Sequence, residues 1–141
     1  MIRWNRILLC TDGSSYSQAA VDNAISYAAH YKKAINALSV IERTDEFYAV
    51  APERANGMVE KADRELNEII LKAQESGVAV TPFLREGEVG KTIVEVAEAT
   101  RADMIIMGSH ERVGVSRLLM GSVAKHVAMS TDCPVFIIKP E

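Results

Sequence analysis

The stretch from Met104 to Val127, MIIMGSHERVGVSRLLMGSVAKHV, decides how the rest of the chain is interpreted. It begins with a short apolar strand and continues through a loop that opens with Gly108 into a helix that follows Gly121 and Ser122. A strand that leads through such a loop into a helix presents backbone N–H groups, the helix macrodipole and a hydroxyl to an anion. The pattern therefore predicts a phosphate-binding loop, although two ordinary turns beside a core helix would show the same spacing.

The composition is that of one folded domain. The chain has 141 residues, of which 48% are hydrophobic and 25% charged, and its formal net charge is −3. This length suits a single core, so we interpret residues 1–141 as one domain. The negative charge gives no general attraction to nucleic acid or to an anionic membrane. Because no apolar run approaches about 20 residues and the N-terminus lacks the core of a secretory signal, we expect a cytoplasmic protein without a membrane span.

Apolar runs of strand length alternate with helical patterns along the whole chain. Strands are predicted at residues 7–10, 34–41, 78–84, 102–107 and 134–139. Four helices are predicted between them, one capped by Ser14 or Ser15 and ending near Tyr31, one from Pro52 to the stop at Gly77, one from Val89 to Thr100 and one after Gly121; residues 42–51 are predicted as a loop. Pro82 cannot donate to a ladder, which indicates that the third strand is an edge. The alternation predicts a doubly wound α/β domain with helices on both faces of a five-stranded parallel sheet, for which analogy gives the strand order 3-2-1-4-5.

This strand order places the first and fourth strands side by side, where the winding direction reverses. Doubly wound sheets bind ligands at that point, beyond the carboxyl ends of the strands. Asp12, at the end of the first strand, would then face Gly108 at the end of the fourth. An acid on one lip and backbone donors on the other define a candidate site, although an aspartate after a strand is also a common turn residue.

Five short motifs resemble those of the universal stress protein family, and they span the whole chain. They are Thr11-Asp12, Val40, Met107-Gly108-Ser109-His110, Gly121-Ser122-Val123 and Cys133-Pro134-Val135. In the nucleotide-binding branch of that family the loop reads Gly, two residues, Gly, nine residues, Gly, then Ser or Thr. The first and last glycines and the serine match, but Glu111 stands where the second glycine is expected.

The resemblance implies that the crevice binds an adenine nucleotide, ATP or else ADP or AMP, accompanied by Mg²⁺. It implies that Asp12 contacts the ribose or adenine, that the main chain of Val40 meets the adenine, and that the loop surrounds the ribose and phosphates. The candidate nucleotide-binding residues are Asp12, Val40, Met107, Gly108, His110, Arg112, Gly121, Ser122 and Val123. We also expect a homodimer through the last strand, Val135-Phe136-Ile137-Ile138, because a bare apolar edge invites pairing with another chain and the resemblance implies the same.

Glu111 is the point at which this sequence departs from the nucleotide-binding pattern. A glycine there would let the backbone adopt positive φ and approach phosphate oxygens, whereas glutamate adds a Cβ and a negative charge. We predict that ATP binding is weakened rather than abolished, and that AMP is less disadvantaged.

Other motifs give weaker indications of function. Gly87–Thr92 resembles the end of a Walker A loop, but Arg85 occupies the position of the first glycine. Cys10 and Cys133 are predicted to be free buried thiols, and the three histidines lack ligand spacing, so no protein metal site is expected. No committed general base or nucleophile is visible, so we predict no catalytic residue and at most slow ATP hydrolysis.

Two functions therefore stand, and a third class stays open. The first is an ATP-binding regulatory module of the stress response. The second, favoured by Glu111, is a dimeric stress or interaction protein of the same fold that does not bind nucleotide. An α/β enzyme related to electron-transfer flavoproteins or nucleotide-activating synthetases would have a similar sheet.

Overall fold

A computed structural model describes residues 4–42, 45–109 and 121–140. His110, Glu111 and Arg112 lie outside these ranges, so the roles expected of them stay predictions.

The described residues form five strands and five helices. In chain order they are β1 (Ile7–Cys10), α1 (Ser15–Tyr31), β2 (Ile35–Ile41), α2 (Asp45–Val50), α3 (Pro52–Glu75), β3 (Val80–Glu86), α4 (Val89–Ala99), β4 (Met104–Gly108), α5 (Ser122–Ser130) and β5 (Val135–Ile138). All four strand pairings are parallel and the sheet order is β3-β2-β1-β4-β5. The predicted doubly wound sheet is confirmed, including the edge position of β3.

The prediction of a loop over residues 42–51 is wrong, because this segment contains the short helix α2. Asp45 and Glu46 occupy its first turn, where carboxylates interact favourably with the helix macrodipole. Six residues are fewer than two turns, so the segment shows no apolar periodicity that a sequence could reveal. Helix α2 has no apolar stripe and is stabilised by its contact with α3.

Successive side chains of β1 point alternately into the two helical layers that cover the sheet. Ile7 and Leu9 pack into the cluster formed with α1 and α3, whereas Leu8 and Cys10 pack into the cluster formed with α4 and α5. All four are buried, as expected for a central strand of a parallel sheet. The carboxyl end of β1 therefore emerges between the two layers, and it is there that the site is built.

Helix α1 lies close against the sheet because its inner face is made of alanine. Ala20, Ala24 and Ala28 are fully buried. Ser14 is the N-cap, and its side chain accepts a hydrogen bond of 3.3 Å from the N–H of Ser17. The cap fixes the turn that joins β1 to α1.

The inner face of α3 begins at Ala55 and not at the larger apolar residue Met58. Met58 is 41% exposed, whereas Ala55 is 1% exposed and belongs to the face completed by Ala62, Leu66, Ile69 and Ala73. At about 100° per residue, Met58 lies roughly 60° from Ala55, at the margin of that face.

Across the described ranges, no helix is both long and apolar enough to cross a membrane.

Candidate functional site

A cavity of about 220 Å³ opens beyond the carboxyl ends of β1, β2 and β4, with α4 and α5 beside it. Six of the residues proposed from the sequence line it, namely Asp12, Val40, Met107, Gly108, Gly121 and Val123. Ser122 begins α5 next to Gly121 but does not line the cavity. The structure thus gathers residues that are more than one hundred positions apart in the chain at the switch point of the sheet.

The β1–α1 turn holds Asp12 at one lip of the cavity. The N–H of Ser14 donates a hydrogen bond of 2.9 Å to Asp12 Oδ1, which closes an Asx turn. Gly13 has φ of +76°, a conformation that glycine adopts without strain. Asp12 is exposed, and a carboxylate with one bond to the backbone keeps capacity to accept others.

A pair of buried hydroxyls supports this turn from below. Thr11 Oγ1 accepts a hydrogen bond of 3.1 Å from the N–H of Gly13 and lies 3.1 Å from Ser17 Oγ. Ser17 Oγ in turn donates a bond of 3.0 Å to the carbonyl of Ser14. Both hydroxyls line the cavity or its edge and both are satisfied within the turn.

Glu65 of α3 reaches the same turn from the α1 and α3 side of the sheet, whereas α4 and α5 lie on the other side. A Cβ placed on Gly13 would overlap the Glu65 carboxyl group, so glycine leaves the space that this group occupies. Burial raises the pKa of Glu65, and the charges of Asp12 and Glu68 act in the same direction, while Lys61 and Arg64 oppose them. Asp12 in the site therefore interacts electrostatically with Glu65, although α3 does not line the cavity.

Strand β2 projects past the end of β1 at a second lip. The register between the two strands ends at Cys10 opposite Leu38, with one further bond of 3.0 Å from the N–H of Thr11 to the carbonyl of Leu38. The carbonyl of Ile41 accepts from Gly87 on the β3 side, so the alternation of a strand turns the carbonyl of Val40 towards the β1 side. Beyond the end of β1, Val40 lines the cavity.

Glu42 follows at the mouth of the cavity as a second carboxylate. It is exposed and lines the cavity together with Val40. Asp12 and Glu42 thus place negative charge beside the ends of β1 and β2.

The third lip is formed by Ser109 and the start of α5. The carbonyl of Ser109 accepts a hydrogen bond of 3.0 Å from the N–H of Gly121, the N-cap residue of α5. Ser109 is 6% exposed and lines the cavity, and its Oγ has no hydrogen-bond partner in the part of the chain that the structure describes. A helix N-terminus and a donor without a partner among the described residues are features that favour an anion.

The floor of the cavity is apolar. Leu38, Ile93 and Ala124 come from the core cluster on the α4 and α5 side. Cys10 belongs to the same floor, and burial, with a smaller effect of neighbouring Cys133, raises the pKa of its thiol to about 12. The Cys10 thiol therefore stays protonated at neutral pH and is a packing group rather than a nucleophile.

The list of candidate nucleotide-binding residues drawn from the sequence left out four polar residues that line the cavity, Thr11, Ser17, Glu42 and Ser109. Thr11 and Ser109 each adjoin a residue that was selected, and Glu42 follows Val40 by two positions, the spacing that returns to the same face of a strand. Ser17 carries no such signal, because only the fold of the turn brings it to Thr11.

The fold and this crevice define a doubly wound α/β domain with a candidate small-molecule site at its switch point. The chain belongs to the universal stress protein family, whose sequence model matches residues 3–139.

The similarity to known proteins extends along nearly the full chain. Universal stress protein MJ0531 of Methanocaldococcus jannaschii is 32% identical over 141 residues, which cover 96% of this chain and 82% of that protein. The structure of hypothetical protein MJ0577, from the same organism, superposes with a TM-score of 0.85 at 27% identity, covering 98% of this chain and 97% of the other. A universal stress protein solved in complex with cAMP superposes with a TM-score of 0.73 at 25% identity, covering 97% and 98%.

Proposed function

We propose that the protein is a regulatory universal stress protein that binds an adenine nucleotide, with ATP as the principal ligand, in the switch-point crevice. The observation that carries the proposal is the polarity of the crevice. Carboxylates follow β1 and β2, whereas the start of α5 and the Ser109 hydroxyl, which has no partner in the described part of the chain, follow β4. A ligand with hydroxyl and amine donors at one end and an anion at the other matches this arrangement.

The base and ribose belong at the β1 and β2 side. The Val40 carbonyl can accept from an exocyclic amine, and the apolar side chains of Leu38, Val89 and Ile93 offer a surface for a flat ring. Asp12 and Glu42 can accept hydrogen bonds from ribose hydroxyls or an amine, and both would repel a phosphate.

The phosphates belong at the β4 side. The N-terminus of α5 attracts negative charge, and Ser109 Oγ can donate to a phosphate oxygen. The cavity of about 220 Å³ is smaller than the roughly 300 to 1,000 Å³ usual for small-molecule sites, so we expect the outer phosphates to extend beyond the lining residues named above.

Mg²⁺ would be held by the phosphates of the nucleotide. Within the described ranges, no group of three or more His, Cys, Asp or Glu side chains is placed to hold a metal ion. When bound, the ion supplies neutralisation of phosphate charge. Asp12 and Glu42 keep to the ribose and base in this arrangement, and we assign no catalytic residue.

A structural neighbour was solved in complex with cAMP, which supports a nucleotide as the class of ligand. That ligand has a single cyclic phosphate, so the choice among ATP, ADP, AMP and cAMP is decided by measurement. Native mass spectrometry of the freshly purified protein identifies any retained ligand, and calorimetric titration with the four nucleotides ranks their affinities. A protein that retains none and shows no heat with any of them would favour the alternative, a stress or interaction protein that does not bind nucleotide.

A matched pair of aspartates tests the position of the site. Asp12→Ala removes a carboxylate at the crevice, whereas Asp103→Ala removes one at the start of β4, at the opposite end of the sheet, where it accepts the N–H groups of Asn5 and Arg6 at 3.0 and 2.9 Å. We expect Asp12→Ala to weaken nucleotide binding about tenfold, since a hydrogen bond to a charged group contributes about 1.5 to 3 kcal/mol. Asp103→Ala should lower stability and leave affinity within about twofold. Equal affinities in both variants would place the nucleotide elsewhere.

A further inference from the structure

A notch at Gly90 in α4 receives the side chain of His126 from α5. A Cβ placed on Gly90 would lie 2.6 Å from Cδ2, 3.1 Å from Cγ and 3.4 Å from Cβ of His126. Carbon atoms pack best about 3.5 to 4.0 Å apart, so a larger residue at position 90 would displace the imidazole ring. Gly90 is buried and His126 is exposed, as expected where the ring covers the glycine on the solvent side.

The conformation of the backbone does not require a glycine at position 90. Gly90 lies in the first turn of α4, and it is not one of the glycines with positive φ, which among the described residues are Gly13, Gly77 and Gly87. Alanine stabilises a helix more than glycine does. The contact with His126 is therefore the feature of the structure that requires a glycine here.

This contact lies within one turn of the walls of the crevice. On α4, Val89 adjoins Gly90 and Ile93 follows it by three residues, and on α5 Val123 precedes His126 by three residues. Val89, Ile93 and Val123 all line the cavity. Residues three apart in a helix are neighbours on its surface, so a displacement of α5 at His126 also moves Val123 relative to α4.

The position of α5 depends on its packing against α4. Helix α5 has nine residues, and its N-cap residue, Gly121, has no side chain that could cap it. Its contact with α4 is more extensive than its contact with β5. Ala124 and Val127 provide the apolar part of this contact in the core cluster shared with α4. His126 adds a contact at the end of α4 nearest the crevice, where the cavity walls lie.

We infer that His126 in the Gly90 notch anchors α5 to α4 and thereby sets the width of the crevice where the base is held, an inference that rests on the proposed function. Gly90 and His126 are not among the described residues that line the cavity, so they are positioning residues that act through Ile93 and Val123. A gap of about 0.5 Å between the base and a wall forfeits about a quarter of the dispersion attraction between them. The anchor therefore determines how firmly the crevice holds a flat ring.

The test is a double-mutant cycle in the full chain, made of Gly90→Ala, His126→Ala and the double variant. Gly57→Ala is the matched glycine control, because Gly57 lies in α3 and a Cβ there would meet nothing within 4 Å. His30→Ala is the matched histidine control, because His30 is exposed on α1 and its ring packs on Tyr31 with 4.6 Å between the centroids. Thermal unfolding is measured without ligand, and calorimetric titrations use adenosine, AMP and ATP.

Thermal unfolding tests the contact itself, independently of any ligand. Gly57→Ala should raise the melting temperature by about 2 to 4 °C, because alanine favours the helix. Gly90→Ala should leave it unchanged or lower it, because the same gain is offset by loss of the His126 contact. A rise in Gly90→Ala equal to that in Gly57→Ala would overturn the inference.

Binding tests the position of the crevice wall. Gly90→Ala and His126→Ala should each weaken adenosine, AMP and ATP by the same factor, about fivefold, because the base is common to the three ligands and dispersion weakens faster with distance than the attraction of phosphates to a helix N-terminus. The double variant should bind no more weakly than either single variant, since both changes remove one contact. Both controls should bind within about twofold of the wild type. Losses that multiply in the double variant, a loss confined to AMP and ATP, or an equal loss in the controls would each overturn the inference.

Failure of the proposed function gives a different pattern. If the wild-type protein binds none of the three ligands, the proposed function fails and the inference fails with it. If wild-type binding is intact and Gly90→Ala and His126→Ala match the wild type for all three, the inference alone fails.

Discussion

At the scale of single residues, the contact between Gly13 and Glu65 sets a prediction for stability. Gly13 and Gly77 have nearly the same positive φ, +76° and +72°, but a Cβ at Gly77 would meet nothing within 4 Å. The atoms that a Cβ at Gly13 would meet belong to the end of a flexible side chain, which can swing away into solvent. We therefore expect Gly13→Ala and Gly77→Ala to cost similar amounts in urea unfolding, about 1 kcal/mol each for the left-handed backbone.

The two glycine variants should differ in the titration of Glu65. In the wild type its folded-state pKa is raised, mainly by burial. Displacement by the Gly13→Ala methyl group should return this pKa towards the ordinary value, whereas Gly77→Ala should leave it raised. Carboxyl titration by NMR measures both, and an unaltered pKa in Gly13→Ala would show that the carboxyl group has not moved.

The raised pKa of Glu65 also predicts how stability depends on pH. A folded-state pKa above the unfolded value means that the folded protein binds more protons between the two values, so this group lowers stability as pH rises through that interval. Glu65→Gln should therefore be more stable than the wild type at pH 7, and the difference should shrink as pH falls through the interval towards the ordinary value of 4.5. Unfolding curves at several pH values test this, and a difference that grows on acidification would contradict it. The ion pair with Lys61, at 3.9 Å, opposes the effect, but burial is the larger cause and the pKa of Glu65 stays raised.

A further prediction about a single residue, Glu111, rests on the sequence alone. A carboxylate about 6 Å from a phosphate would cost on the order of 1 to 3 kcal/mol at an effective dielectric between 20 and 50. Glu111→Gly should then tighten ATP about tenfold or more in calorimetric titrations, and AMP much less. Equal changes for both nucleotides, or none, would show that Glu111 does not face the phosphates.

At the scale of elements, the sequence predicted every strand and every helix of three or more turns in the described ranges, but not α2. Long elements repeat their apolar period, and parallel strands buried on both faces are continuous apolar runs. The candidate site was predicted where it lies at strand ends, as with Asp12 and Gly108. Ser17 and Glu65 were missed because their approach to the β1–α1 turn depends on packing between elements, which no local pattern records.

The two edge strands of the sheet differ in a way that predicts the dimer. β3 contains Pro82, Arg85 and Glu86, residues that discourage pairing along an exposed edge. β5 is Val-Phe-Ile-Ile, with all four residues half-buried and no charge or proline. We therefore propose that homodimerisation uses β5 and leaves β3 free.

A charged residue introduced into each edge strand tests whether the dimer forms through β5 or through β3. Ile137→Lys should give monomer or aggregate in sedimentation velocity, because it places an ammonium group in the apolar edge of β5. Phe83→Lys makes the equivalent change on β3, and we expect it to keep the dimer even if the protein is less stable. Dimers in both variants, or monomers in the wild type, would exclude pairing through β5.

At the scale of the whole molecule, the crevice joins parts of the chain that the fold alone brings together, the β1–α1 turn, the end of β2 and the β4–α5 boundary. A ligand that contacts all three binds only the folded state, so it should raise the melting temperature by mass action. At a concentration one hundred times the Kd, the added stability is about 2.7 kcal/mol. Removal of the nucleotide by gel filtration should return the melting temperature to that of the unliganded protein.

The metal dependence of this stabilisation is the final test of how the molecule holds its ligand. Because no cluster of metal-binding side chains is present in residues 4–42, 45–109 and 121–140, we expect Mg²⁺ without nucleotide to leave the melting temperature unchanged. ATP carries the charge that attracts the ion, so EDTA should reduce the thermal shift given by ATP. AMP binds Mg²⁺ far less through its single phosphate, and its shift should be nearly insensitive to EDTA. A rise in melting temperature with Mg²⁺ alone would show that the protein supplies a metal site of its own, and the ion would then be a resident of the protein rather than a companion of the nucleotide.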